Sequence, residues 1–441
     1  MKSLRINFLI TLILIISVQL TNGQSNSARI SNYDISAVLD TTTGQLNVRA
    51  RLSIEKSDSA QLLTLMFGSM AHLDSVIGDY DGSPLNIPFQ FIGKDSIQLN
   101  IPSSLAQTGQ FVIEFIYSFP IGKLGDVPLL LDRGHRWYPL IPDNVAKMIL
   151  TVAAPGNLEI FSAGDMTSTT KMSDSTRVTW ESSWPVFKIP LLIANNGYYR
   201  EVKRECNNQK EISLCYVSAD SATAQAMLDE VCRSFEFFSQ YIGEYSHNTF
   251  RLLEVPQFPG TNIGTGIITF GKDEIDAFKA GYSDRIDLAV AEQWMGAGIF
   301  GKFADRGFWF LSLSLPHYLR MMYLQKAVSE GAFQKSLNDS YNAYRPVAGT
   351  DKDIPILDVD FLNTKEKGVI IYGKGPYLVN FLRNKLGDEP WEMFWKALYR
   401  DYGGKVISFD QFCESLQGHD KDKTIIPEFR KLVGEKGLLP E

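Results

Sequence analysis

The hydrophobic pattern of this chain changes its period once, near residue 220, and that change limits the folds it can adopt. Before about residue 199 apolar and polar residues alternate, as in residues 46–54, where every second side chain is apolar. Such alternation is typical of half-buried strands in antiparallel sheets. Residues 111–119 and 148–153 repeat it, and turns rich in Gly, Asp and Pro separate these segments. The first part of the chain is therefore predicted to be a β-sandwich.

Beyond that point the apolar residues recur with the period of an α-helix. Leu228 and Val231 share one face of a helix that Gly243 can end. A glycine-rich hairpin at residues 260–270 follows, and most of the remaining chain has helical spacing. The predicted fold class is a multidomain β then α+β chain, with an N-terminal antiparallel β-sandwich domain at residues 24–205 and a mostly helical domain at residues 206–441.

The first 23 residues are predicted to be a signal peptide. Lys2 and Arg5 precede an apolar run at residues 6–20, and a small residue, Gly23, ends the segment. The run is shorter than the ~20 apolar residues that span a bilayer, and no later segment is apolar enough to do so. We therefore expect cleavage after Gly23 and an exported protein, periplasmic or extracellular, that has no transmembrane segment.

The chain is acidic, with a formal net charge of -7 from 43 basic and 50 acidic residues. Loss of the leader would remove only basic side chains and make the balance more negative. Nucleic acids and anionic membranes attract basic surfaces, so neither is an expected partner. The sequence leaves the oligomeric state open.

Four cysteines follow the leader, and no two of them form a Cys-Xaa-Xaa-Cys pair. A thiolate zinc site is therefore not expected. Cys206 and Cys215 flank a short polar segment typical of a turn between strands, so a disulfide between them is one hypothesis for an oxidising compartment. Two reduced cysteines are the alternative, and the spacing does not decide between them.

Residues 287–298 are predicted to form a helix that contains Gln-Trp-Met-Gly. The segment resembles the metal helix of aminopeptidase N-type zinc metallopeptidases (peptidase family M1, gluzincin clan), which reads His-Glu-Xaa-Xaa-His before Gln-Trp. In that family the two histidines bind zinc and the glutamate between them is the general base. In this register Leu288 and Glu292 occupy the histidine positions, and Ala289 occupies the position of the general base.

The next segment, residues 309–318, resembles the family's Trp-Leu-Xaa-Glu-Gly segment, whose glutamate is the third zinc ligand. Counting back from the tyrosine at its end places that glutamate at Leu313, and counting forward from its tryptophan places it at Ser312. Neither side chain is a zinc ligand of the family's kind. His317 lies beside this position and could approach Glu292, but two ligands are fewer than a catalytic zinc uses.

The hairpin at residues 260–270 resembles the family's Gly-Xaa-Met-Glu-Asn strand, whose glutamate holds the free amino group of the substrate. Gly260 coincides with that pattern, Ile263 stands in the place of the glutamate, and Gly264 follows it. An alkyl side chain cannot pair with an ammonium group, so the resemblance implies that selection of an amino terminus is lost. A glycine-rich edge hairpin without a binding role is the alternative.

Residues 371–376 are similar to the family's Tyr-Glu-Lys-Gly element, in which the tyrosine hydroxyl stabilises the oxyanion. Tyr372 is then the one catalytic-type residue that this sequence keeps. A tyrosine before a helix is also commonly a packing residue with a satisfied hydroxyl. The resemblance covers nearly all residues after the leader and implies that the helical domain is thermolysin-like.

The resemblance implies an exported, catalytically inactive relative of aminopeptidase N, a pseudopeptidase that binds no zinc and keeps a cleft for a peptide or protein. One alternative is an active zinc metallopeptidase with a shifted metal site that uses Glu292, His317 and Tyr372. Another is a structural subunit of a cell-envelope complex. General-base assistance contributes roughly 10²–10⁴ in rate, and Ala289 cannot provide it, which favours the inactive relative.

Overall fold

The structure is a computed structural model that describes residues 28–206, 209–360, 363–421 and 423–437. The predicted signal peptide lies outside these ranges. The described chain forms two compact units. The first contains residues 28–204, 211–225 and 247–282, and the second contains residues 205–206, 209–210, 226–246 and the described residues from 283 onward. Within the described ranges, no helix combines the length and the apolar character that crossing a membrane requires.

Residues 28–195 of the first unit form three sheets, a short α-helix, α1 (Ser103–Ala106), and a 3-10 turn at Arg133–His135. The strands of these sheets are β1 (Ala28–Asp40), β2 (Gln45–Lys56), β3 (Leu62–Met66), β4 (His72–Tyr80), β5 (Ser83–Asn86), β6 (Phe89–Ile92), β7 (Ser96–Asn100), β8 (Gln110–Pro120), β9 (Leu129–Leu131), β10 (Lys147–Pro155), β11 (Leu158–Ser162), β12 (Asp165–Lys171), β13 (Ser175–Glu181) and β14 (Leu191–Asn195). The three segments with predicted alternation are β2, β8 and β10, which confirms that prediction.

The largest sheet has the order β12-β13-β10-β1-β2-β8-β4-β5, and the two smaller sheets have the orders β11-β14-β9 and β3-β7-β6. Neighbouring strands of the largest sheet run antiparallel, except that β1 and β10 run parallel. Along β2 the buried side chains alternate with more exposed ones, as the period of two predicted. The alternating sequence pattern therefore predicted correctly which side of β2 faces the core.

Buried aromatic residues complete the core of the first unit, and the polar atoms of Tyr117 and Trp137 are bonded to the backbone. The Tyr117 hydroxyl donates a hydrogen bond to the carbonyl oxygen of Trp137 at 2.8 Å. The indole nitrogen of Trp137 donates to the carbonyl oxygen of Ile189 at 3.1 Å. Because these bonds satisfy polar atoms that water cannot reach, the large rings can be fully buried.

A mixed sheet of order β15-β16-β17-β19-β18 follows, and the rest of the chain is mainly helical. This arrangement confirms the predicted fold class, a β domain followed by a mostly helical domain. The remaining elements are β15 (Arg200–Cys206), β16 (Lys210–Tyr216), α2 (Ser221–Tyr241), β17 (Thr249–Glu254), β18 (Thr261–Gly264), β19 (Ile267–Phe270), α3 (Lys272–Lys279), α4 (Asp284–Ala291), β20 (Phe300–Gly301), α5 (Leu315–Ala327), α6 (Glu330–Tyr344), α7 (Lys367–Val369), α8 (Gly375–Leu386), α9 (Asp388–Tyr402), β21 (Val406–Ile407), α10 (Phe409–Gln417) and α11 (Ile425–Val433).

Cys206 forms a disulfide with Cys232, and the two Cα atoms lie 6.0 Å apart. The hypothesis of a bond between Cys206 and Cys215 is therefore wrong. β15 and β16 are neighbours, as predicted, but Cys215 is buried as a free thiol in the hydrophobic core of the first unit. The actual partner lies on α2, 26 residues along the chain, where local spacing could not reveal it.

We expect the Cys206–Cys232 bond to stabilise the protein by about 3 kcal/mol, because it closes a loop of this length in the unfolded chain. The Cys206→Ser/Cys232→Ser variant should lose that free energy of unfolding in urea. Wild-type protein unfolded in reductant should match the variant. Peptide mapping that recovers a Cys206–Cys215 crosslink, or equal stability with and without reductant, would contradict this assignment.

Two helices of the second unit are preceded by π-helical turns, Phe310–Ser314 before α5 and Ile370–Lys374 before α8. The two turns are in contact, since the Ser314 hydroxyl donates to the carbonyl oxygen of Ile371 at 2.7 Å. A Cβ atom added to Gly375 would overlap the Ser314 side chain. Glycine at this position therefore permits the close approach of the two turns.

A Gly375→Ala variant tests this approach. The added methyl group must push the turns apart, and overpacking of this kind costs about 1–3 kcal/mol of unfolding free energy. Gly368→Ala is a matched control, because a Cβ atom at Gly368 in α7 would meet no atom within 4 Å. Equal stability of the two variants in urea would show that the turns can separate without loss.

Candidate functional site

Helix α4 carries the segment that resembles the metal helix, and it ends sooner than predicted. It ends at Ala291, so the prediction of helix as far as residue 298 is wrong. The amide of Trp294 donates to the Ala291 carbonyl at 3.1 Å, and that of Ala297 donates to the Glu292 carbonyl at 2.7 Å. Gly296, with a φ of 122°, turns the chain at this point. Glu292 is therefore the C-cap of the helix rather than an interior residue.

Leu288 and Ala289, which are predicted to occupy the family's first ligand and general-base positions, are both apolar. Ala289 is 1% exposed, and Leu288 is half-buried. The amide of Glu292 donates to the Leu288 carbonyl at 2.9 Å, one helical turn away. Residues four apart share a helix face, so Glu292 lies on the face that Leu288 occupies, as does Asp284 one turn earlier.

The segment of the third ligand lies in the Phe310–Ser314 turn. A π-helical turn holds one residue more than an α-helical turn, which explains why the two counts along this segment disagree by one. A Cβ atom on Gly301 would lie 2.7 Å from the Ser312 Oγ, so the Ser312 side chain faces β20. Leu313 is half-buried, and its assignment to the ligand position stays a prediction.

Glu292, His317 and Tyr372 form a polar cluster in the second unit. The ring centroids of His317 and Tyr372 lie 5.3 Å apart, with the ring planes at 76°. Burial raises the pKa of Tyr372 and the charge of Glu292 raises it further, so the phenol stays protonated at neutral pH. Burial and the charge of Arg320 lower the pKa of His317, so its imidazole is neutral. Its Nδ1 atom is enclosed and has no hydrogen-bond partner among the described residues.

The donor set of this region does not fit a catalytic zinc of the family's kind. Such a site uses three protein ligands with nitrogen, sulfur or carboxylate donors. Leu288 and Leu313 have no donor atom, and Glu292 with His317 supplies two at most. An alkyl side chain such as that of Leu288 leaves no buried charge that a cation must balance.

A second group of charged residues lies on α4 and on the neighbouring helix α5. Asp287 is fully buried, and its Oδ2 accepts a hydrogen bond from the Ser283 hydroxyl at 2.6 Å. Its Oδ1 has no partner among the described residues. Arg320 on α5 is 4% exposed, pairs with Asp284 and donates to the Ser336 hydroxyl at 2.8 Å. Burial raises the pKa of Asp287 to about 7, although the Ser283 hydrogen bond and the Arg320 charge act in the opposite direction.

Asp287 and Arg320 were missed in the sequence. A signal for the first was present, because Asp287 lies three and four residues before the buried Val290 and Ala291 and so shares their helix face. A charged residue on an apolar face is either exposed at its edge or paired within the core. The partner on a different helix could not be identified from one sequence.

The hairpin that resembles the amine-anchor strand belongs to the first unit. β18 and β19 pair antiparallel, with Ile263 opposite Ile268, as the hairpin prediction requires. Gly260 precedes the hairpin with a φ of 75°, and its amide donates to the Asp273 carboxylate at 3.0 Å. Gly264 ends β18. The half-buried alkyl side chain of Ile263 offers no charge to an ammonium group.

The fold is that of the two-domain M1 zinc metallopeptidases. No family model matches the sequence, and no curated protein does. Solved structures match over almost the whole chain. Their sequence identities to this chain are low, so the similarity establishes the fold, and the chemistry has to be argued from the residues described above.

One similar structure is an M1 zinc metallopeptidase mutant from Deinococcus radiodurans bound to a Tyr-Ser-Ala substrate. It has a TM-score of 0.76 and 13% identity, over 94% of this chain and 96% of that chain. The M1 zinc metallopeptidase of the same organism has a TM-score of 0.75 and 14% identity, over 94% and 95%. A two-domain M1 zinc metallopeptidase mutant bound to L-tryptophan has a TM-score of 0.75 and 15% identity, over 95% and 96%.

The raised pKa of Asp287 predicts a pH dependence of stability. A carboxyl group with a folded pKa of about 7 and an ordinary value of 3.8 binds its proton more tightly in the folded state. Its contribution is therefore complete below about pH 4 and is lost as the pH rises through 7, by up to about 4 kcal/mol. Asp287→Asn should remove this dependence from unfolding curves between pH 5 and 8.

Asp284→Asn is the control for this measurement, because the Asp284 side chain is 61% exposed. It should leave the pH dependence in place. If the unfolding free energies of wild type and Asp287→Asn changed with pH in the same way, Asp287 would be ionised in the folded protein throughout this pH range.

Proposed function

We propose that this protein is an exported, M1-like protein that binds a peptide and does not hydrolyse it. One observation carries the proposal: Leu288 and Ala289 place hydrocarbon where a metal ligand and a general base would stand. Ala289 cannot act as a general base and Leu288 cannot hold a metal-bound water, so neither can activate water for attack on an amide. The fold then supports recognition without the chemical step.

Three polar side chains of the second unit support the binding of a peptide. Glu292 retains a carboxylate, Tyr372 a protonated hydroxyl, and His317 a neutral imidazole beside it. Half-buried Leu288 and Leu313 add apolar surface. Sites of this composition, apolar with a few directed polar groups, are typical of ligand recognition. Solved M1 structures with this fold hold a Tyr-Ser-Ala substrate, L-arginine or L-tryptophan, which is the class of ligand we propose.

Two features support export. Residues 1–23 have the composition of a signal peptide. The Cys206–Cys232 disulfide is typical of proteins that fold in an oxidising compartment. A periplasmic or extracellular location accounts for both.

The alternative is an active zinc metallopeptidase with a shifted metal site. The proximity of His317 and Tyr372, and the effect of Glu292 on the Tyr372 phenol, favour a metal site at these three residues over one that includes Leu288 or Leu313. A measurement of metal separates the two hypotheses. We expect the purified protein, dialysed against micromolar zinc, to hold far less than one zinc per chain. One zinc per chain, lost in Glu292→Gln and His317→Ala, would establish the alternative.

Binding is tested by titrating labelled peptides and following fluorescence anisotropy. Tyr372→Phe removes one hydroxyl, and we expect the affinity for a bound peptide to fall by roughly three- to tenfold, as for the loss of one hydrogen bond. The peptide should be recovered intact by mass spectrometry. Tyr377→Phe is the matched control, because it removes a tyrosine hydroxyl outside the proposed site. Tyr377 in α8 stacks on Tyr341 in α6, with ring centroids 4.1 Å apart. Cleavage of the peptide, or no binding from a diverse peptide library, would refute the proposal.

A further inference from the structure

The segment that follows α11, residues 434–437, lies between two buried side chains of opposite charge, Lys374 and Asp353. Each is 0% exposed. Burying an ammonium or a carboxylate is costly unless each charge has hydrogen-bond partners. The main chain of this short segment supplies partners to both.

Lys374 is the last residue of the π-helical turn that contains Tyr372. Its Nζ donates to the carbonyl oxygen of Glu435 at 2.5 Å and lies 5.6 Å from the centroid of the Tyr344 ring. Burial lowers the pKa of Lys374, and the charge of Asp353 acts in the opposite direction. The carbonyl of Glu435 is thus a direct acceptor for a cation that water does not reach.

Asp353 binds the other end of the segment. Its Oδ2 accepts hydrogen bonds from the amide of Gly437 at 2.7 Å and from the amide of Gly349 at 2.8 Å. The Tyr344 hydroxyl lies 2.8 Å from the same oxygen and 3.0 Å from the carbonyl oxygen of Gly437. A carbonyl therefore faces the cation and an amide faces the anion, which is the favourable polarity at both ends.

The turn that carries Tyr372 is fixed on its other side by close packing. A Cβ atom on Gly373 would lie 2.8 Å from the carbonyl oxygen of Ser340 in α6 and 2.9 Å from the Cβ atom of Tyr344. The Lys374 side chain is then the connection from this turn to residues 434–437. Loss of that segment would leave Lys374 and Asp353 as buried charges without these partners, and the turn would have to move to satisfy them.

The geometry points to a positioning role for residues 434–437: by binding Lys374 and Asp353 through their main chain, they hold the turn of Tyr372 in place. Lys374 and Asp353 are positioning residues, since they act on the candidate site through this turn. The inference rests on the proposed function only for what Tyr372 does, and the placement of its ring can be measured without any peptide ligand.

The test uses full-length protein that contains 3-fluorotyrosine, with the ¹⁹F resonance of Tyr372 assigned by its absence in Tyr372→Phe. In a chain shortened to end at Val433, we expect this resonance to shift by more than its linewidth. Addition of a synthetic peptide of residues 434–441 should return it to its original position. If the shortened chain does not fold, the full-length Asp353→Ala variant replaces it in this test. That substitution removes the acceptor of the Gly437 amide, and Asp353 is distant from Tyr372 in sequence.

Asp420→Ala is the matched control. Asp420 is also a buried carboxylate, 2% exposed, and its Oδ2 accepts hydrogen bonds from the amides of Ile425 and Ile426 at 2.9 and 3.1 Å. The Asp420→Ala substitution therefore weakens the start of α11 and leaves the hydrogen bonds of Lys374 and Asp353 in place. An unchanged Tyr372 resonance in a folded Asp353→Ala or shortened chain would overturn the inference. An equal shift in Asp420→Ala would do so too, because the effect would then be general loosening. Loss of peptide binding with a normal response of the resonance would count against the proposed function alone.

Discussion

The hydrogen bond from the Ser314 hydroxyl to the Ile371 carbonyl is the contact on which the arrangement of the candidate site depends. It joins two π-helical turns, one carrying Leu313 and the other Tyr372. A π-helical turn widens the helix by a residue and changes the direction of the side chains that follow it. The absence of a side chain at Gly375 allows the two turns to meet, so the geometry of the site is built into the backbone.

The proposal that this fold packs without a metal rests on residues that are consistent with one another. A single lost ligand would leave the remaining polar groups buried and unpaired, which is costly. Here Leu288 and Ala289 are adjacent apolar residues of α4, which ends at Ala291 with Glu292 as its C-cap. Glu292, His317 and Tyr372 are the polar residues that we propose for recognition.

Much of the fold follows from the sequence, since alternation and helical period are local properties. The strands over residues 46–54, 111–119 and 148–153 and the hairpin at 260–270 were predicted for this reason. Features that depend on distant residues were not. The Cys206 partner lies on α2, Arg320 approaches α4 from α5, and the early end of α4 is set by the turn at Gly296. The candidate residues could be named from motifs, but their contacts required the folded chain.

The parallel pairing of β1 with β10 has a consequence for the order of folding. β1 is central in the largest sheet, between β2 and β10, and residues such as Tyr33 and Met148 are brought side by side. During synthesis β1 and β2 can form a hairpin early, but the other edge of β1 must wait for β10, which begins at Lys147, well after β2 ends at Lys56. Pairings so distant in the chain are slow to form. A nascent chain would therefore carry an open strand edge for much of its synthesis, which is a site where chaperones or aggregation would compete with folding.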